Sequence, residues 1–275
     1  MINNMNPVIV TASIVIYRSD MNIVERLCSS ILSSCPDCLL FIVNNDPTKK
    51  YDLFYDKRIR YIQMDSNVGF GKAHNIAIRT ACDLGSNFHF IINPDITIGP
   101  DVIPNLLDSM KSNPEIGLMM PGIINRNGTS QYLPKLIPSP LSLLIRKIHH
   151  FIPVFGKYVH RYEMRSLPSE GIYDIPIVSG CFCVVSRNAL QKAGLFDERY
   201  FLYFEDWDLS RRVSAIYRTA INISVKVIHD YDSGANKSLK LFFCFMSSAL
   251  KYFKKYGFFI DNNRRSINRK ALSQF

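Results

Sequence analysis

Short apolar runs alternate with helical patterns through the first half of the chain, and that rhythm leaves few architectures open. PVIVTASIVIY (7–17), rich in β-branched residues, reads as a buried strand, and LLFIV (39–43), RIRYIQM (58–64), FHFII (88–92) and IGLMM (116–120) are further runs of strand length. Between them, residues 20–34 set Ile23, Val24, Leu27, Ile31 and Leu32 at helical spacing behind Asp20, a residue suited to cap a helix. Further helices are expected near 50–56, from Gly71 to Leu84 and from Asp101 to Ser112. Strands separated by helices form a parallel sheet covered on both faces. Such sheets bind ligands beyond the carboxyl ends of their strands, so polar residues just after those ends are the ones to weigh.

The segment from about 126 to 175 differs, with Pro at 134, 138, 140, 153 and 168 and weaker periodicity. Within it LSLLIRKIHHFI (141–152) reads as an amphipathic helix, and a long segment of this kind suggests a lid or binding loop. The α/β pattern returns with IPIVSGCFCVVS (175–186), helices near 187–193 and from Asp206 to Tyr217, and the strand INISVKVI (221–228). A long amphipathic helix is expected from about Ser238.

Three polar clusters follow strands. Asn44-Asn45-Asp46 after LLFIV suits either the edge of a nucleobase or an Asx-type turn. NVGFGKAHN (67–75) opens a helix, where Gly69 and Gly71 allow close backbone approach and the helix start favours phosphate. It is neither a Walker A loop nor G-x-G-x-x-G, which argues against a kinase or a dinucleotide fold. Asn93-Pro94-Asp95 places a carboxylate at the top of a buried strand, a position suited to a hard divalent cation or to a turn.

A fourth cluster, GLFDERYFLYFEDWDLSRRV (194–213), packs Glu205, Asp206 and Asp208 into the start of a helix. The dipole there favours negative charge, but it does not explain the surrounding Phe201, Tyr203, Phe204 and Trp207. Apolar surroundings raise a carboxylate pKa towards the value a general base needs. His229, at the end of INISVKVI, suits a metal site or a structural bond to the backbone.

In order, the strand ending at Tyr17, Asn44-Asn45, NVGFGKAHN, FIINPD, SGCFCVV, GLFDERYFLYFEDWDL and His229 resemble the family 2 glycosyltransferases, and in particular their rhamnosyltransferase-like bacterial branch. The resemblance spans about residues 8–235 and implies a GT-A fold, a Rossmann-like, mostly parallel mixed α/β sheet flanked by helices. It implies a catalytic domain over 1–235, with a nucleotide-binding half to about 122 and an acceptor-binding half over 123–235, then a basic amphipathic tail over 236–275. By the same resemblance Tyr17, Asn44, Asn45, Asp46, Asn67, Gly69, Phe70, Gly71, Asn75 and Asn93 line the nucleotide-sugar site. Asp95, with His229 as second ligand, holds Mg2+ or Mn2+; Asp206 is the base, Glu205 its neighbour, and Gly180 and Trp207 meet the acceptor. The implied reaction is inverting transfer, of L-rhamnose from dTDP-rhamnose or of another sugar from a UDP donor, to a polyprenyl-diphosphate-linked glycan in O-antigen or related polysaccharide synthesis. Two departures stand out: Asn44 replaces a common Asp, shifting base contact towards Asn45 or Asp46, and Asn93 occupies the first position of the usual D-x-D.

Charge is uneven. Of a net +10, nine Lys or Arg from Lys237 onward face a single acid, Asp261. With Leu239, Phe242, Phe243, Met246, Leu250 and Phe253 on one helical side, this composition suits an anionic membrane surface or a helix docked on the catalytic domain. Aromatics that follow a helix face are a poor stacking platform, which argues against nucleic acid. The opening residues lack the basic start of a secretory signal, and seven scattered Cys fit reduced thiols, so the expected location is cytoplasmic, at the inner face of the membrane. A sugar-nucleotide-forming nucleotidyltransferase would need a basic glycine-rich loop near the N-terminus, and residues 8–20 hold no Gly and only Arg18. A degenerate transferase serving as a membrane scaffold would be expected to lose its site acids; Asp95, Glu205 and Asp206 are all present.

Overall fold

The computed structural model describes residues 9–51, 55–230 and 239–274. Part of the helix expected near 50–56 and the positions around Lys237 lie outside the described residues. The first part of the sheet forms as the apolar runs require. β1 (Val10–Ile16), β2 (Leu39–Asn44), β3 (Ile59–Gln63) and β4 (Phe88–Ile92) pair in parallel, in the spatial order β3-β2-β1-β4. All seven residues of β1 are buried, because α1 (Met21–Ser34) and α2 (Phe70–Asp83) cover the sheet here. Asp20 caps α1, accepting from the Asn22 N–H at 2.9 Å.

The sheet continues past β4 with its direction reversed. β8 (Phe182–Ser186) runs antiparallel to β4 and to β6 (Ile116–Ile124), and β6 is parallel to β9 (Arg218–His229). Two short strands complete it, β5 (Ile96–Thr97) and β7 (Ile172–Asp174), both antiparallel to β9. Of the apolar run 175–186 only its second half is strand; Ile175–Gly180 crosses as a loop, bridged once between Lys135 and Ile177. α3 (Val102–Ser112), α6 (Arg187–Ala193) and α7 (Glu205–Ser214) flank the sheet. The proline-rich middle supplies α4 (Pro140–Ile148), closed by a Ser139/Ser142 capping box, and α5 (Gly156–Tyr162).

The expected single C-terminal helix is two, α8 (Leu239–Tyr256) and α9 (Asn262–Leu272). Gly257, at φ +104, breaks the helix where a Cβ would strike the Ile260 carbonyl. Both helices dock on α7. Asp208, fully buried, accepts from Arg212 Nε (2.7 Å), Lys255 Nζ (2.5 Å) and Tyr256 O–H (2.7 Å). Arg211 reaches Asp261 through two bonds of 2.6 and 2.8 Å. Tyr200, Phe204, Ala249, Tyr252 and Phe253 form an apolar cluster around this joint. Phe253, expected on the membrane-facing side, therefore belongs to the docked side, while Leu239 (78%) and Phe243 (67%) remain exposed. No described helix is long and apolar enough to cross a membrane.

Candidate active site

Antiparallel pairing of β8 with β4 sets the start of one strand beside the end of the other, and this brings the two key acids to one place. The Asn93 N–H donates to the Cys181 carbonyl at 2.8 Å, and the Gly180 N–H donates to Asp206 Oδ2 at 3.1 Å. Adjacent residues thus tie down the strand end that carries Asp95 and the helix start that carries Asp206. Burial first, then the Asp206 and Asp95 charges, push the Cys181 thiol up to about 12. Gly180 leaves little room, since a Cβ there would stand 3.2 Å from the Phe70 ring and 3.3 Å from Asp206 Cβ.

Asp206 sits in the first turn of α7, its carboxylate accepting also from the Trp207 N–H at 2.9 Å. Burial raises its pKa, and these N–H bonds oppose the rise. Glu205 is less well served: Oε2 is buried without a hydrogen bond, and burial followed by the Asp206 charge holds its pKa well above the ordinary carboxylate value against the pull of one backbone N–H. The pair takes up one proton earlier than isolated acids would, and Glu205 is the member built to carry it. Asp206 is the member fixed in orientation, by the Gly180 and Trp207 N–H groups. Tyr203 and Phe204, both at φ +68, force the chain into α7 with this geometry.

Asp95 meets His229 because β5 pairs with the end of β9, opposing Ile96 to His229. Asp95 Oδ1 is buried without a hydrogen bond and lies 3.3 Å from His229 Nε2. Gln131 fixes the tautomer: its Nε2 donates to the Asn125 side chain and the His229 carbonyl, so its Oε1 faces His229 Nδ1 at 3.1 Å and accepts that proton. The Nε2 lone pair then faces the carboxylate, the outer-shell arrangement usual for metal-ligating histidines. Two protein ligands fit a Mg2+-type ion that keeps waters and substrate phosphates as its others. Among the described residues there is no set of three or more His, Cys, Asp or Glu that would form a closed cage.

The amides divide differently from the expectation. Asn44, expected at the nucleobase, is fully buried, and its amide donates to Lys49 O, Tyr61 O–H and Gln63 Oε1 while its Oδ1 accepts from the Asp46 N–H. It builds the turn. Asn75, expected at the nucleotide, instead accepts from the Phe196 N–H and donates to Phe196 O and Glu198, so its amide is spent inside the protein. Asn45 holds the loop of Asn67 through bonds to Asn67 Oδ1, Gly69 O and the Val68 N–H. Phe70 N–H donates to Phe201 O at 2.9 Å, and a Gly71 Cβ would come 2.9 Å from Phe196 Cβ. NVGFGKAHN is thus clamped onto the 196–201 loop that leads to Asp206. Gly69 stands at φ +88, where a Cβ would collide with the Phe201 carbonyl. Gly69→Ala is expected to cost about 3 kcal/mol or more, positive-φ strain adding to overpacking; urea unfolding midpoints test this, and an unchanged midpoint would mean that the clamp is slack.

Three of the expected site residues keep exposed surface. Tyr17, under the Arg18 guanidinium at 5.3 Å, is exposed, and Asn93 and Trp207 are half-buried. Asp46 Oδ2 has no hydrogen bond and stands 4.0 Å from Arg18 Nε. Sequence reasoning missed Gln131 and the buried Lys135, whose pKa falls to about 7, chiefly through burial and the Arg146 charge and despite Glu163 and Asp206. A lysine in a proline-rich segment carries no signal of such burial.

Residues 13–194 match the model of Glycosyl transferase family 2. The match covers Asn44 to Asp95 and Gly180, and stops short of Asp206 and His229. Two curated relatives, from two strains of Mycobacterium tuberculosis, are each called N-acetylglucosaminyl-diphospho-decaprenol L-rhamnosyltransferase and are 31% identical over 190 residues. That alignment covers 62% of this chain and 58% of the relative, so the chain spans little more than half the length of the relatives it matches. Among solved structures, GalNAc-T7 with UDP, GalNAc and Mn2+ superposes with a TM-score of 0.62 at 11% identity, over 91% of this chain and 48% of that one. The likeness is one of fold, the GT-A type, a mixed, mostly parallel sheet between helices. By fold and by family match, the chain belongs to the family 2 glycosyltransferases.

Proposed function

We propose that this chain is an inverting glycosyltransferase that moves L-rhamnose from dTDP-rhamnose to a polyprenyl-diphosphate-linked glycan in cell-surface polysaccharide synthesis. The observation that carries the reading is the joining of two distinct carboxylates through neighbouring residues, Gly180 to Asp206 and Cys181 to the Asn93 strand end. Transfer needs both: one to take a proton, the other to sit at the leaving group. Asp206, held by two N–H bonds, removes the proton from an acceptor hydroxyl. That oxygen then bonds to the anomeric carbon from the face opposite the nucleotide, and the bond to the nucleoside diphosphate breaks with its electron pair on the phosphate. Mg2+ or Mn2+, held by Asp95 and His229, supplies charge neutralisation at the diphosphate when bound. Glu205, whose burial disfavours its charged form, lies beside the base in the chain and adds little repulsion to it.

With Asn44 and Asn75 spent internally, Tyr17, Asp46 and Asn93 are the donor-side contacts, and the Asn67–Gly71 loop shapes the wall between donor and base. Trp207 and Gly180 border the acceptor. The division into a nucleotide half to about 122, an acceptor half to 235 and a membrane-facing remainder follows from this assignment. The exposed residues of α8 support peripheral attachment at the inner face of the membrane. The relatives' name, which specifies a rhamnosyl donor and a diphospho-decaprenol acceptor, supports the choice of sugar and carrier. The test is a donor screen with a synthetic N-acetylglucosaminyl-diphospholipid acceptor: transfer is expected from dTDP-rhamnose and not from UDP-glucose or UDP-N-acetylglucosamine. Transfer from a UDP sugar alone would replace the donor, and no transfer from any donor would favour a scaffold.

A further inference from the structure

Away from the acids, α4, α5 and α9 enclose a groove of about 790 Å3. Arg161, Arg264, Arg265 and Arg269 line it together with Ser142 and Tyr162, and its lining includes no acid. Asp261, at the start of α9, is committed to Arg211 and to capping the helix at Arg264 N–H. Four guanidinium groups around one groove repel each other unless an anion lies among them. The wall itself supplies a second sign of a ligand. Tyr162 is only 2% exposed, yet its hydroxyl has no hydrogen-bond partner, and neither does the buried Arg264 Nη1. A buried donor without an acceptor is costly, and two beside one basic groove mark where acceptor oxygens belong. Burial raises the Tyr162 pKa, which keeps the O–H a donor.

Forked guanidinium groups match phosphate oxygens, and a groove of this volume with four of them suits two linked phosphates better than one. The neighbouring segments add an apolar component. Leu141 and Leu144 of α4 face solvent, and the turns next to α5 and α9 expose Phe151 (86%) and Phe259 (91%). Lys147 Nζ lies 4.8 Å over the Phe242 ring, which sets α4 against the exposed end of α8.

We propose that this groove binds a diphosphate borne on a hydrocarbon chain, with the arginines and the Tyr162 hydroxyl on its oxygens and the chain over the exposed side chains of α4 and α8. The inference rests on the reading that the acceptor is a lipid-linked diphosphate, and names its anchoring site. Farnesyl diphosphate, inorganic pyrophosphate and vesicles of phosphatidylcholine with or without phosphatidylglycerol serve as probes on the full chain. Farnesyl diphosphate is expected to bind more tightly than pyrophosphate. Arg264→Gln with Arg269→Gln should weaken both by on the order of 100-fold, and Tyr162→Phe by about tenfold. Because the Tyr162 hydroxyl has no partner in the protein, the Phe variant should melt no lower than the parent, which separates lost binding from lost folding. Unchanged diphosphate affinity in these variants would overturn the proposal, as would loss of binding to phosphatidylglycerol vesicles alone, which would give the groove to bilayer phospholipid. Failure of sugar transfer with diphosphate binding intact would sink the enzymatic reading and leave the groove assignment standing.

Discussion

Asp206→Asn is expected to lower kcat for sugar transfer by about 100- to 10,000-fold, the range for loss of a general base. Donor affinity should hardly move, because Asp206 contacts the Gly180 and Trp207 N–H groups rather than the strand end that carries Asp95. The amide keeps one acceptor oxygen and turns an N–H2 towards the other donor, so a stability loss of about 1–3 kcal/mol is expected. Single-turnover rates and donor titrations separate these effects. The parent's pH profile offers a second check. Burial raises the pKa of Asp206, so the rate should fall with acidification at a higher pH than an ordinary aspartate near 3.8 would give. Since the folded state then binds the proton more strongly than the unfolded one, stability should decline as pH rises between the ordinary and the raised value. Asn at this position should reduce that slope. A variant that transfers sugar at the parent's rate would remove Asp206 from the mechanism.

Asp95→Ala is expected to abolish the dependence of donor binding on Mg2+ or Mn2+ and to lower kcat/KM by at least about 100-fold. The bound stems from outer-shell partners of metal ligands, which alone cost ten- to 100-fold when removed. Gln131→Leu is the graded companion: with Nδ1 released from Gln131 Oε1, His229 is free to change tautomer, and metal affinity should drop by about ten- to 100-fold. Isothermal titration of donor with and without chelator reads both variants. Undiminished transfer by the parent under complete chelation would deny Asp95 its metal.

How far these residues were legible in the sequence depends on how local their causes are. β1, β2 and β4 are continuous apolar runs because helices cover both their faces, and their ends were readable in the sequence: Tyr17 and Asn93 follow β1 and β4, and Asn44 closes β2. β5, two residues long, has no pattern of its own and exists only through its pairing with β9, yet it is what brings Asp95 to His229. Asn44 and Asn75 show the converse limit. An amide beyond a strand or within a glycine-rich motif looks alike whether it faces ligand or protein, and the deciding partners of Asn75 lie 121 and 123 residues away. The bend at Gly180-Cys181 was not legible, because 175–186 reads as one strand, yet this bend is what ties Gly180 to Asp206 and Cys181 to the Asn93 strand end. α9 has few apolar residues to give it a period; Asp261 and Arg211 hold it, and neither residue type announces that pairing.

The grip of α8 and α9 on α7 also bears on when the enzyme becomes competent during synthesis. Asp208 and Arg211 lie in the same short helix as the base, and their partners Lys255, Tyr256 and Asp261 emerge from the ribosome 47 to 50 residues later. Until then Asp208 retains Arg212 but lacks its other cation, in a helix whose entry already bears two left-handed residues. The nucleotide half can fold while the chain is still growing. The helix that carries Asp206 is locked only once α8 and α9 have been made, so a growing chain can complete β1 to β4 well before α7 has all its partners.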